Sequence, residues 1–204
     1  MIPLILQYAQ SLGHAVFTQG AYNLNIIGIR KRNGTPDAFD DAMTVTYLDE
    51  DGQWHSHTWP ITTEPGLYYL MSADKQLNPA GTAVLKEGQY RGFYKIGLHG
   101  STKYEALVQR GGKVTVWRDN NHDAEVDYGL NPETGWLGIN IHASSMSPYE
   151  GNKSSTKVGA WSAGCQVFKN EADFRSFMSL CKTQLKHHPT WTTFTYSLIS
   201  SPEW

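Results

Sequence analysis

Cysteine and histidine together can cleave an amide: a thiolate attacks the carbonyl, and an imidazole takes the thiol proton and returns it to the leaving amine. The chain holds two cysteines and eight histidines, and one pairing sits in a suitable setting. The run Gly138-Ile139-Asn140-Ile141-His142-Ala143-Ser144 alternates as a strand that carries His142 to its carboxyl end, where side chains enter loops rather than core. Further on, Ser162-Ala163-Gly164-Cys165-Gln166-Val167 sets a thiol among small residues ahead of a helical pattern. Small neighbours let a substrate backbone approach the sulfur and leave main-chain amides free to hold an oxyanion. A free thiol near pKa ~8.5 is mostly protonated at neutral pH, so the chemistry needs an imidazolium or another positive field close by. Taken singly, a cysteine and a histidine are more simply read as a buried small hydrophobe and a satisfied strand-end side chain.

The other reactive types are less well placed. Cys181 falls on the apolar stripe of the C-terminal helical pattern and reads as core. His187 and His188 read as helix-end cations. They leave one rival open, a papain-like or NlpC-like peptidase, whose histidine would stand on a later strand, and the strand after them has none. His55, His57 and His122 lack partners at ligand spacing, so neither a metal nor a cofactor is expected. His99 is the best spare contact to a substrate. Residues 119–127 alternate oxygen-bearing side chains as a calcium loop does, but Ala124 stands at the sixth place and Leu130 at the twelfth, so a solvated turn is expected.

These residues need elements to hold them. Short runs rich in Val, Thr, Tyr and Trp predict strands at 43–47, 54–59, 66–71, 104–109, 113–118 and 136–142, with hairpin turns at 49–52 and 110–113. Apolar spacing predicts a short helix over 2–12, inside a lead-in spanning 1–22. A long helix is predicted over 171–188, where Phe174, Phe177, Met178, Cys181 and Leu185 share a face, followed by a closing strand at 190–199. The expected fold is one mostly β (β-rich α+β) domain over 1–204 with one long C-terminal helix.

Composition limits the function. With 204 residues, 40% hydrophobic and 18% charged, the chain can bury a sizeable core. A formal net charge of -2 argues against nucleic acid or an anionic membrane surface as partner. The apolar runs are far short of the ~20 residues of a membrane span, and the basic flank of a secretory signal is missing ahead of Arg30.

The order strand-His, variable loop, Ser-x-Gly-Cys resembles the signature of the L,D-transpeptidase catalytic domain (the YkuD-like family), mainly over 136–170. A wider likeness, carried by 24–30, 63–66, 88–92, 118–121 and 161–167, is to phage and prophage-encoded proteins of similar length. The resemblance implies a β-sandwich or barrel and an acyl-enzyme formed on a peptidoglycan stem peptide. By carry-over, Cys165 is the nucleophile, His142 the base, and the Ala143 carbonyl the third member. Gly164 and the Cys165 amide line the oxyanion site, Ser162 shapes the turn, and Ser162, Ser144, His99 and Trp161 form the substrate-binding set. Departures are Ala163 where many members carry a second histidine, Gln166-Val167 after the cysteine, and a longer interval whose extra residues, 145–157, are expected to form a lid. The phage likeness favours an L,D-carboxypeptidase or endopeptidase that degrades wall over a transpeptidase that builds it. The alternative is a wall-binding or virion module that kept the fold and lost the reaction. A bacterial cytoplasmic origin without a signal peptide then requires another release route, or carriage in a virion.

Overall fold

β-Branched and aromatic residues in period-two runs fold into a closed eight-stranded barrel in the computed structural model, which describes residues 1–31, 33–101, 103–146 and 152–201. In order around the barrel are β1 (Asn25–Arg30), β11 (Phe194–Ser200), β5 (Gly88–His99), β6 (Tyr104–Gln109), β9 (Ile141–Ala143), β10 (Gln166–Phe168), β3 (Trp54–Thr62) and β2 (Asp41–Leu48). β2 then pairs with β1 and leaves no open edge. The β1–β11 and β9–β10 contacts are parallel and the others antiparallel. A second sheet of order β4 (Thr82–Leu85), β7 (Val114–Asp119), β8 (Glu133–Gly135) lies beside the barrel. The fold is thus mostly β, with one long helix near the C-terminus.

That helix, α3 (Glu171–His187), buries Phe174, Phe177, Met178 and Cys181 as its stripe requires. Phe168 of β10 stacks at 5.0 Å from Phe177 and 5.5 Å from Phe174, so the strand after the cysteine is anchored to α3 by aromatic packing. α1 (Leu4–Ser11) covers the outer face of the barrel, where Leu6 and Ala9 meet Ile27 and Ile199.

Three local expectations are corrected. Residues 66–71 contain α2 (Leu67–Leu70) instead of a strand. Gly66 there packs so closely on Gly159 that a Cβ would come 2.0 Å from the Gly159 carbonyl oxygen, and its N–H is held by the Ser162 carbonyl at 2.9 Å. Turn 110–113 is no hairpin, because β6 pairs with β5 and β9 while β7 pairs with β4 and β8. Its Arg110 and Gly111 amides both bond the Phe93 carbonyl, and the chain passes there from barrel to second sheet. The expected strand 136–142 shrinks to β9, because Gln109 takes the place of a partner strand. Its Oε1 accepts from the Leu137 and Ile139 amides at 3.1 and 3.2 Å. The expected lid at 145–157 has its centre, 147–151, outside the described residues.

Candidate active site

β9 and β10 lie side by side and parallel, with Ile141 opposite Gln166 and His142 opposite Val167. The ladder extends one residue back, since Gln166 donates to the Asn140 carbonyl at 2.9 Å. Side chains alternate along each strand, so Asn140, His142 and Cys165 project from one face. Cys165 is then the diagonal neighbour of His142 across the parallel pair. Two residues far apart in sequence are brought together by one strand pairing.

The imidazole is fixed from behind. His142 Nδ1 donates to the Ala143 carbonyl at 2.9 Å, and a carbonyl can only accept, so the proton resides on Nδ1 and Nε2 is left as the basic nitrogen. Among the described residues Nε2 has no hydrogen-bond partner. The Tyr104 hydroxyl donates to the same carbonyl at 3.1 Å and lies 3.4 Å from Nδ1. His99 stacks on His142 with ring centres 4.1 Å apart, and Asn140 Nδ2 lies 3.2 Å from His99 Nδ1. Asn140 is itself held by Oδ1, which accepts from the Gln109 amide at 2.9 Å. Tyr104, Asn140 and Gln109 were missed as site residues. Asn140 was legible, since an alternating strand puts it beside His142; Tyr104 and Gln109 arrive only through the β6–β9 pairing.

Cys165 is partly exposed. Its sulfur accepts from the Asn140 amide at 3.4 Å and donates to the Gly138 carbonyl at 3.5 Å, and it makes no hydrogen bond with the His142 ring. Burial pushes the thiol up to about 11, against the pull of the Asn140 amide. His142 is lowered to about 3, first by burial and then by His99, with the Ala143 bond opposing. Both groups are therefore neutral at physiological pH. The pair stands as thiol and imidazole, not as the thiolate–imidazolium couple the sequence suggests.

The turn before the cysteine is built by Ser162. Its buried hydroxyl accepts from the Gly164 amide at 3.1 Å and donates to the Cys165 carbonyl at 2.9 Å. Gly164 has φ +119, and a Cβ there would come 2.5 Å from the Ala83 carbonyl oxygen of β4, so glycine is required twice over. These bonds correct two expectations. The Gly164 amide is spent on Ser162, which leaves the Cys165 N–H, without an acceptor among the described residues, as the candidate oxyanion donor. Ser162 itself shapes the turn and does not face a substrate. Ser144 is also withdrawn from the substrate-binding set: it is buried, with its amide on Phe168 O at 2.9 Å and its hydroxyl on Lys169 O at 3.1 Å. Trp161, 46% exposed, closes a 3-10 turn next to the box and His99 is half-buried, so both stay within reach of a ligand.

No family model, no curated protein and no solved structure matches this chain. The site stands on its own geometry.

The two helix-end histidines are engaged elsewhere. His188 stacks on Trp191 at 3.8 Å and lies 2.8 Å from the Ala21 carbonyl, and His187 stacks on Tyr22 at 4.6 Å. Cys181 is fully buried and its thiol is pushed up by that burial. Among the described residues no helix is long and apolar enough to cross a membrane.

Proposed function

We propose that the chain is a cysteine-dependent acyl-transfer enzyme acting on the stem peptides of peptidoglycan, with Cys165 as nucleophile and His142 as general base. The observation that carries the proposal is the shared face of β9 and β10, where a partly exposed thiol sits diagonal to an imidazole whose tautomer is fixed by the Ala143 carbonyl. Because both groups start neutral, the proton moves as the bond forms. Cys165 Sγ attacks the amide carbon, its proton passes to His142 Nε2, and the oxyanion faces the Cys165 main-chain N–H. Collapse breaks the C–N bond, and His142 returns the proton to the departing amine. The thioester left behind is resolved by water, giving an L,D-carboxypeptidase or endopeptidase, or by a second amine, giving a transpeptidase. The stem peptide as substrate and the preference for hydrolysis rest on the sequence resemblance.

The raised thiol and depressed imidazole favour a second reading, a wall-binding module without the reaction. Incubating purified sacculi with the protein and with Cys165→Ala separates the two. New muropeptide fragments released only by the unmodified chain support catalysis. Pull-down of both proteins with sacculi and no new fragments supports the binding module.

A further inference from the structure

The segment after β7 was expected to be a solvated turn, because it fails the calcium-loop pattern at its sixth and twelfth places. Its structure gives a reason to reverse that. The base of the loop is closed by the Arg118 amide on the Leu130 carbonyl at 3.2 Å and by the Asp127 amide on Asp119 Oδ2 at 2.8 Å. Leu130 is thus committed to the loop's base, and a ligand at the twelfth place is not needed to close it. Within the loop stand Asp119, Asp123, Glu125 and Asp127, and among the described residues none of these four carboxylates has a cationic partner.

Asp119 is the decisive group. It is 1% exposed, and its second oxygen, Oδ1, is buried with no hydrogen-bond partner. A buried carboxylate oxygen without a partner is costly, and native structures satisfy such atoms with a donor, a water or an ion. A proton or a metal cation would answer this, and the neighbouring oxygens decide between them. Asn121 Nδ2 lies 2.8 Å from Asp123 Oδ2 and 2.9 Å from Asp127 Oδ2, between the two carboxylates. Among the described residues no three Asp, Glu, His or Cys side chains stand as a ready metal cage, so Asp119, Asp123 and Asp127 would have to draw in around the ion, with the Asn121 amide among them. Half a turn of the Asn121 amide gives up the bond its Oδ1 accepts from the Asp123 N–H at 3.2 Å and puts that oxygen against Asp123 Oδ2 and Asp127 Oδ2, an arrangement that a cation makes favourable.

We infer that the 119–127 loop binds one hard divalent cation of calcium size through Asp119, Asn121, Asp123 and Asp127, with the Glu125 main-chain carbonyl in the seventh-position role such spacing uses. All ligands are oxygens at alternating places on a flexible loop, which suits calcium better than magnesium, with its stricter octahedral demand. The inference is independent of the acyl-transfer reading.

The test is calorimetric titration of chelator-treated full-length protein with CaCl2 to 2 mM, paired with thermal unfolding in EDTA and in 2 mM CaCl2. One site per chain and a rise in midpoint of about 5 °C or more are expected when calcium exceeds Kd a hundredfold. Asp123→Asn/Asp127→Asn, changed where the loop is largely exposed, should lose both signals, while its midpoint in EDTA equals or exceeds that of the unmodified chain because like charges are removed. MgCl2 should give a smaller shift. Absence of a saturable site in the unmodified chain, or an undiminished calcium response in the double variant, overturns the inference.

Discussion

Gly164→Ala tests how the second sheet holds the turn before Cys165. At φ +119 an L-residue is strained by about 1–3 kcal/mol. The new methyl would also sit 2.5 Å from the Ala83 carbonyl oxygen and 2.9 Å from Ala83 Cβ, and both belong to a paired strand that cannot swing aside. Forcing such contacts apart costs about 1–3 kcal/mol more. The total of about 2–6 kcal/mol corresponds to a fall in midpoint of about 4–24 °C for a chain of this size. Gly52→Ala is the control, since Gly52 has φ +74 but nothing within 4 Å of a Cβ, and it should show the backbone strain alone. Differential scanning calorimetry of the three proteins is the assay. If Gly164→Ala melts within about 2 °C of the unmodified chain, or no lower than Gly52→Ala, then β4 does not press on the turn and the packing argument fails.

Ser162→Ala strands the buried Gly164 amide and should lower stability by about 1–3 kcal/mol in urea unfolding. Because the folded His142 pKa lies near 3, below its unfolded value, the unfolded state binds the extra proton as pH falls from ~6.5. Stability should then decline by up to about 1.4 kcal/mol per pH unit toward pH 3, and His142→Gln should remove that part of the acid sensitivity. Iodoacetamide should modify Cys165 roughly 20-fold more slowly at pH 8 than a free thiol. A thiol near 11 is about one-thousandth ionised there, partly offset by its greater intrinsic nucleophilicity. The rate should climb about tenfold per pH unit from pH 7 to 10, and a plateau below pH 8 would mean the thiolate is stabilised after all.

Much of the scaffold was legible because it obeys simple periods. The Phe174, Phe177, Met178 and Cys181 stripe gave α3, and the turn at 49–52 gave the β2–β3 hairpin. What was lost depends on distant partners. The alternation of 136–142 was read as strand, but the Gln109 side chain, not a neighbouring backbone, holds most of it. β5 went unseen because Gly88, Gly92 and Gly97 dilute its β signal, although a Cβ on Gly97 would collide with Val108 of β6 at 2.7 Å. In the site, the pairing of His142 with Cys165 was expected from the family resemblance, while their types and spacing alone left it open. Their ionisation could not be read, because it is set by the His99 stack and by burial that exist only after β5, β6 and β9 assemble.

Acyl transfer at Cys165 is tested most directly by intact-mass analysis of the protein quenched in acid during turnover with a stem tetrapeptide, followed by peptide mapping. A covalent adduct equal to the peptide minus its departing amine, on Cys165, lost in Cys165→Ala and depleted in His142→Gln, is the predicted result. An unmodified Cys165 while fragments accumulate, or an adduct on Cys181, would contradict it.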